Sequence, residues 1–112
     1  MIQCLRNKIK WKIIILEEDN NVDCFYISQN YIKLPKNTIR ENTNLFIIFP
    51  QDQQNLGYIF RDHCREIDKE EFNDICKEIW SEKYNFITID KTSEKNRGKF
   101  RKQLKYFYLF DD

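Results

Sequence analysis

Runs of apolar residues separated by polar connections organise this chain. Trp11 to Glu18 is apolar nearly to its end and then acidic, a pattern typical of a buried β-strand. Val22 to Gln29 is rich in β-branched and aromatic residues and predicts a second strand. Asn44 to Pro50 predicts a third, which ends at its proline because proline cannot donate a ladder hydrogen bond.

The middle of the chain changes to helical spacing. Apolar residues recur every three or four positions, which predicts two consecutive helices within residues 51–64 and 68–82. Asp68 and Glu71 fit an N-capping pair at the start of the second helix.

Further elements lie on either side of these helices. Pro35 suits the opening of a short helical turn that continues through Asn42. Tyr84 to Lys91 predicts a fourth strand and Lys105 to Phe110 a fifth, with a polar basic loop between them.

Length and strand pattern indicate one domain. The chain has 112 residues, enough for one modest core. Consecutive, nearly continuous apolar strands indicate a sheet covered on both faces, which favours a layered α/β fold. We therefore predict a single domain over residues 1–112, with about five strands, two consecutive helices before the fourth strand, and flexible segments at 1–10 and 93–104.

The first two strands are separated by very few residues, Glu18 to Asn21. Parallel neighbours need a crossover of about a dozen residues or more, whereas so short a connection fits a hairpin. We therefore predict that strands 11–17 and 22–29 are antiparallel or not neighbours, and that strands 22–29 and 44–49 are parallel.

Composition excludes several classes of protein. Hydrophobic residues make up 41% of the chain, which argues against global disorder, and two glycines with two prolines argue against a collagen-like or linker-rich protein. No apolar run approaches the ~20 residues that span a bilayer, and no signal-like segment opens the chain. We expect an intracellular protein with no membrane partner. We expect its four cysteines to be reduced: Cys4, Cys24, Cys64 and Cys76. Their spacing matches no zinc-binding pattern even with His63 included, so no metal site is predicted.

Polar residues at the ends of predicted strands are candidates for catalysis. "IIILEED" has the form of a Walker B strand, in which Glu17 would help to hold Mg²⁺ and Glu18 would orient water. Gln29 ends the second strand, where an amide could orient water beside a γ-phosphate, and Arg40 precedes the third, from where it could reach a phosphate in a neighbouring subunit. The pattern and spacing alone favour the structural alternatives, a strand that ends at the surface or a surface residue that faces solvent or pairs with a nearby acid.

A basic cluster near the C-terminus is interleaved with aromatic residues. That combination suits nucleic-acid backbones and exposed bases, although a solvated loop leading into a core strand has the same composition. The candidate DNA-binding residues are Lys95, Arg97, Lys99, Arg101 and Lys102.

The sequence contains no G-x-x-x-x-G-K-[ST] loop, and its only glycines are Gly57 and Gly98. Nucleotide phosphates need a nest of backbone amides and a lysine. We therefore expect no cofactor for this chain alone.

Four segments resemble a known family, in the order in which that family has them. They are "VDCFYISQNYIKLPKNTIRENTNLFIIFPQDQQNLGYIFRDHC", "EEFNDICKEIW", "YNFITIDKTS" and "RGKFRKQL…FYLF", which run from about Val22 to Phe110. They look like the C-terminal half of poxvirus-type DNA-packaging ATPases of the FtsK/HerA superfamily, found also in giant viruses, virophages and Polinton-type elements. The "YxSQ…LP…TIREN…F" series is the most specific part.

The resemblance implies a P-loop α/β core and an oligomeric ring motor that drives DNA into a capsid using ATP and Mg²⁺. By similarity, Gln29 would be the sensor, Arg40 the candidate arginine finger, and Glu17 and Glu18 remnants of the Walker B acids. The chain departs from the family in three ways: the Walker A half is absent, Glu17 stands where Asp is usual, and the crossover is shortened to "EEDNN".

We therefore expect a truncated or decayed copy, or one piece of a split gene, that is inactive alone. Its partners would be the missing N-terminal half, sister subunits or DNA, in the host cytoplasm, a viral factory or the nucleus. The alternative is a non-enzymatic module, derived from such an ATPase, that binds nucleic acid or a partner protein.

Overall fold

A computed structural model of the protein describes residues 13–19 and 22–111, with side chains from residue 27 onward except that of Thr38. The strands are β1 (Ile13–Asp19), β2 (Val22–Ser28), β3 (Leu45–Ile48), β4 (Ile87–Asp90), β5 (Phe100–Lys102) and β6 (Tyr106–Phe107). The helices are α1 (Gln53–His63) and α2 (Lys69–Trp80). Short helical turns cover Tyr31–Lys33, Lys36–Arg40 and Lys95–Lys99.

The described strands form one sheet in the order β2-β1-β3-β4-β5-β6, and all five pairings are antiparallel. The hairpin predicted from the short first connection is confirmed, with Ile13 opposite Ser28 and Asp19 opposite Val22. Since β2 and β3 are both antiparallel to β1, which lies between them, they run parallel to each other as predicted.

The α/β class is confirmed, but the P-loop-like layered arrangement is not. Parallel pairing through crossover helices would characterise such a core, whereas β3 and β4 are antiparallel although two helices connect them. The predicted fifth strand over 105–110 shrinks to the two residues of β6. The polar loop predicted between the fourth and fifth strands contains a further short strand, β5, and the flexibility expected over 93–104 stays a prediction.

Local signals account for the two helices. Asp52 caps α1, since its carboxylate accepts a hydrogen bond from the Asn55 backbone N–H at 2.8 Å. The capping pair predicted for α2 is confirmed as a reciprocal capping box between Asp68 and Glu71. No helix in the part of the chain that the structure describes is long and apolar enough to cross a membrane.

The core joins the two helices to the middle of the sheet. In β3, Phe46 and Ile48 are buried while the residues between and before them are half-buried, so one face of this strand packs inward. Full burial of a large apolar side chain contributes roughly 1.5–3 kcal/mol. The largest fully buried apolar side chains are Tyr31, Phe46, Ile48, Ile59, Phe72, Ile79, Ile87, Ile89 and Phe100.

Candidate functional site

Arg40 is held inside the domain. The helical turn Lys36–Arg40 places its guanidinium 5.2 Å from the centre of the Tyr31 ring, and its Nη1 lies 3.3 Å from Asp62 Oδ2. Only 11% of the Arg40 side chain is exposed. Arg40 therefore contacts side chains of its own domain here, and its role as an arginine finger stays a prediction.

Tyr31 links two polar side chains at the end of α1. Its buried hydroxyl donates to Asp62 Oδ2 at 2.7 Å and lies 2.7 Å from His63 Nε2. Because the hydroxyl has one proton, His63 must donate its Nε2–H to Tyr31, which assigns the tautomer from the hydrogen-bond network. His63 Nδ1 is then a bare acceptor, and it has no hydrogen-bond partner among the residues with described side chains.

The protonation states of this cluster follow from its burial. Burial raises the pKa of Tyr31, and the hydrogen bond to Asp62 raises it further. Burial, followed by the charge of Lys91, lowers the pKa of His63 to about 3. Burial alone would raise the pKa of Asp62, but hydrogen bonds from Tyr31 and Arg61 outweigh it and lower that pKa. At neutral pH His63 is thus uncharged, and it is too weak a base for efficient proton transfer, which favours a pKa near the working pH.

A cleft of about 200 Å³ opens beside this cluster. Its lining comes from the turn before β3, the last turn of α1 and the residue after β4: Lys36, Arg40, Glu41, Asp62, His63 and Lys91. Three cations thus face two carboxylates. Asp62 is already bonded by Tyr31, Arg40 and Arg61, so positive charge is in excess in the cleft.

The residues predicted for catalysis do not converge. Glu17 and Glu18 pair with Cys24 and Asp23 across the hairpin, and their side chains lie outside the described part of the chain. Gln29 is exposed immediately after Ser28, which pairs with Ile13 at the other end of β1. The four residue steps from Ile13 to Glu17 cover roughly 14 Å along a strand. The antiparallel hairpin therefore separates Gln29 from the two acids, whereas parallel strands would bring their carboxyl ends to one edge.

Two of the five candidate DNA-binding residues are tied into the fold. Lys99 is buried, and its Nζ donates to the Glu66 carboxylate at 2.6 and 2.7 Å and to the His63 carbonyl at 2.7 Å. Arg101 donates to Asp90 Oδ2 at 2.8 Å and to the Gly98 carbonyl at 2.6 Å. Each of these two cations is thus paired with an acid of its own domain, and a role for them in DNA binding stays a prediction.

The other three candidates lie nearer to solvent. Arg97 is 82% exposed and only loosely paired with Glu94 at 3.7 Å. Lys102 is 31% exposed and lies 3.4 Å from Glu82. Lys95 is half-buried and has partners of its own. Of the five, Arg97 is therefore the cation that is most accessible to a phosphate.

Large apolar side chains and one lysine are exposed around β6 at the sheet edge, a region that we name the aromatic edge: Leu104, Tyr106, Phe107 and Leu109, with Lys105. Tyr106 and Phe107 are 61% and 52% exposed. Lys105 Nζ lies 5.9 Å from the centre of the Tyr106 ring, within cation–π range. The sequence predicted a core strand here, and the structure instead buries Phe100 and leaves these rings in solvent.

Sequence reasoning named Arg40 and His63 but missed the other residues that line the cleft, and it missed Tyr31 beside them: Lys36, Glu41, Asp62 and Lys91. They come together from separate parts of the chain, and no local spacing signals such contacts. No group of histidine, cysteine and acidic side chains suited to a metal ion occurs among the described residues. Comparisons with protein-family models, curated proteins and solved structures found no match, so the family resemblance of the motifs stays a hypothesis.

Proposed function

We propose that this chain is a non-enzymatic module that binds single-stranded nucleic acid through the aromatic edge. The observation that carries the proposal is the exposure of Tyr106 and Phe107 next to Lys105. Exposed rings give unpaired bases a surface for stacking, worth about 1–3 kcal/mol per base, while lysines neutralise phosphates.

Single strands suit this surface better than a duplex. The bases of a duplex are already stacked on each other, so exposed rings gain little from them. Lys102 and Lys105 lie close along the chain to Tyr106 and supply positive charge for a backbone. Two observations favour binding over catalysis. The hairpin separates Gln29 from Glu17 and Glu18, and His63 is uncharged at neutral pH.

The test is fluorescence anisotropy with a labelled single-stranded oligonucleotide and its duplex at low salt. The single strand should bind more tightly, and the double variant Tyr106→Ala/Phe107→Ala should bind it at least tenfold more weakly. Two or three phosphate contacts should give a log-log salt slope of roughly −1.4 to −2.

The matched control is Ile32→Ala, which removes an exposed apolar side chain from the turn beside α1. This variant should bind the oligonucleotide like the parent. Equal affinity of the parent and the double variant, or equal affinity for single strand and duplex, would contradict the proposal.

A C-terminal fragment of a DNA-packaging ATPase is the second candidate function. The exposed amide of Gln29 directly after β2 favours it, since a strand-end amide suits the orientation of water beside a phosphate. The test is coexpression with any P-loop reading frame encoded directly upstream. ATP hydrolysis that requires both chains and is lost in Gln29→Ala would support this function, and no hydrolysis by the mixture would reject it.

A further inference from the structure

We propose that the cleft beside Tyr31 binds a phosphomonoester as its monoanion, with Lys91 and Arg40 on the phosphoryl oxygens and His63 Nδ1 accepting the acidic P–OH. The inference is independent of the nucleic-acid proposal, because it concerns different side chains and a different ligand. A phosphodiester backbone has no P–OH and could not satisfy the histidine.

Lys91 and Arg40 are cations, and each has N–H donors without a partner among the residues that the structure describes in full. Lys91 makes no ion pair with any residue that the structure describes in full, and its Nζ lies 6.0 Å from the centre of the Phe46 ring. Burial and the nearby Lys99 lower the pKa of Lys91, and the charges of Asp62 and Glu41 offset this shift only in part. Arg40 has one ion pair, with Asp62, and its buried Nε has no partner among the described side chains.

His63 supplies the acceptor that selects a protonated anion. The residue is 8% exposed, it lines the cleft, and its Nδ1 lacks a partner within the described structure. Buried polar atoms without partners are rare in folded proteins, so such an atom beside a cleft points to a ligand or water that completes it. Since Nε2 donates to Tyr31, Nδ1 can only accept.

The acids of the cleft favour a monoanion over a dianion. The negative charge of Asp62 is offset by Arg40 and Arg61, and Tyr31 donates to the same carboxylate, so Asp62 repels an incoming anion weakly. Glu41 is exposed at the cleft, where its carboxylate opposes a second negative charge on the ligand. The volume of about 200 Å³ is several times the ~30 Å³ share of one liquid water, enough for a phosphate group.

The single histidine of the chain makes the test specific. We suggest ¹⁵N-histidine labelling and titration with inorganic phosphate at pH 5.5, where phosphate is mainly the monoanion, with sulfate as the comparison anion. Phosphate should shift the Nδ1 resonance saturably. Sulfate, which has no proton to donate at this pH, should bind roughly tenfold more weakly.

Lys91→Gln should weaken phosphate binding roughly tenfold, because it removes a charge-assisted hydrogen bond. Lys69→Gln is the matched control, since Lys69 is an exposed lysine of α2 outside the cleft lining, and it should bind like the parent. Lys36→Gln, at an exposed position of the cleft, should have a smaller effect of about twofold.

A nucleoside 5′-monophosphate titrated in parallel distinguishes the sources of the phosphate. Tighter binding than inorganic phosphate assigns the site to nucleotides or to 5′-phosphorylated ends, whereas weaker binding would assign it to free phosphate and contradict a phosphomonoester ligand. Absence of a saturable Nδ1 shift, equal affinity for sulfate and phosphate, or equal effects of Lys91→Gln and Lys69→Gln would overturn the proposal.

Discussion

Replacement of Lys99 by methionine should destabilise the domain far more than the same replacement of Arg97, two residues earlier. Lys99 is buried and all of its donors are used within the fold, whereas Arg97 is 82% exposed. Methionine keeps much of the aliphatic volume, so the comparison isolates the loss of the charged group.

The expected magnitude follows from the partners of Lys99. Loss of its charge-assisted hydrogen bond to the buried His63 carbonyl costs about 1.5–3 kcal/mol. Loss of the ion pair adds little, because Glu66 is 39% exposed and can be hydrated instead, so we discount it to about 0–1 kcal/mol. We therefore expect a loss of about 2–3 kcal/mol for Lys99→Met and less than about 0.5 kcal/mol for Arg97→Met.

Urea denaturation of both variants measures this difference. With an m-value of 1–3 kcal/mol/M for a small domain, the midpoint of Lys99→Met should fall by about 1–2 M. Equal midpoints for the two variants would refute the placement of Lys99 as an internal cation. Consequently a combined alanine replacement of Arg97, Lys99 and Arg101 cannot test DNA binding alone, since two of these residues support the fold.

Three further predictions concern stability and nucleotide binding. Gly98→Ala should destabilise the domain by about 1–2 kcal/mol, because Gly98 has a φ of +103° and an added Cβ would lie 3.3 Å from Arg101 Nη2. Gly57→Ala should stabilise the domain by up to about 1 kcal/mol, because a Cβ at this position of α1 meets open space. Thermal unfolding in which both variants shift the stability in the same direction would contradict this pair of predictions. His63 is neutral in the fold down to about pH 3 but protonates near 6.5 when unfolded, so stability should decrease as pH falls through that window, by about 2–3 kcal/mol at pH 4.5. His63→Gln should flatten this part of the urea-derived pH profile, and an unchanged profile would exclude His63 as its cause. The chain alone should show no ATP hydrolysis and at best millimolar ATP affinity, because its sequence lacks a phosphate-binding loop; micromolar affinity by calorimetry would refute this.

Elements with local signals could be predicted from the sequence. The helices α1 and α2 follow from apolar spacing, and the capping box at Asp68 depends on residues within a single turn. The β1–β2 hairpin follows from the length of its connection alone. In each instance the interacting residues lie close together in the sequence, so the local sequence pattern is enough to predict the element.

Features that depend on distant residues could not be predicted. The direction of β4 relative to β3 is set by packing after two intervening helices, and no local pattern specifies it. Lysines are rarely buried, so the burial of Lys99 could be anticipated only with knowledge of Glu66, which lies far away in sequence. Arg40 was selected correctly as an unusual residue, but its partner Asp62 was not.

The hydroxyl of Tyr31 has one proton for two neighbours, and this couples the charge of Asp62 to the tautomer of His63. While Asp62 is ionised, the proton points to the carboxylate and the imidazole must keep its own proton on Nε2. If Asp62 were neutralised, Tyr31 could donate to Nε2 instead, and the imidazole proton would move to Nδ1, which would change from an acceptor into a donor. A change of charge on Asp62 would thus convert His63 Nδ1 at the cleft from a hydrogen-bond acceptor into a donor, without movement of any heavy atom.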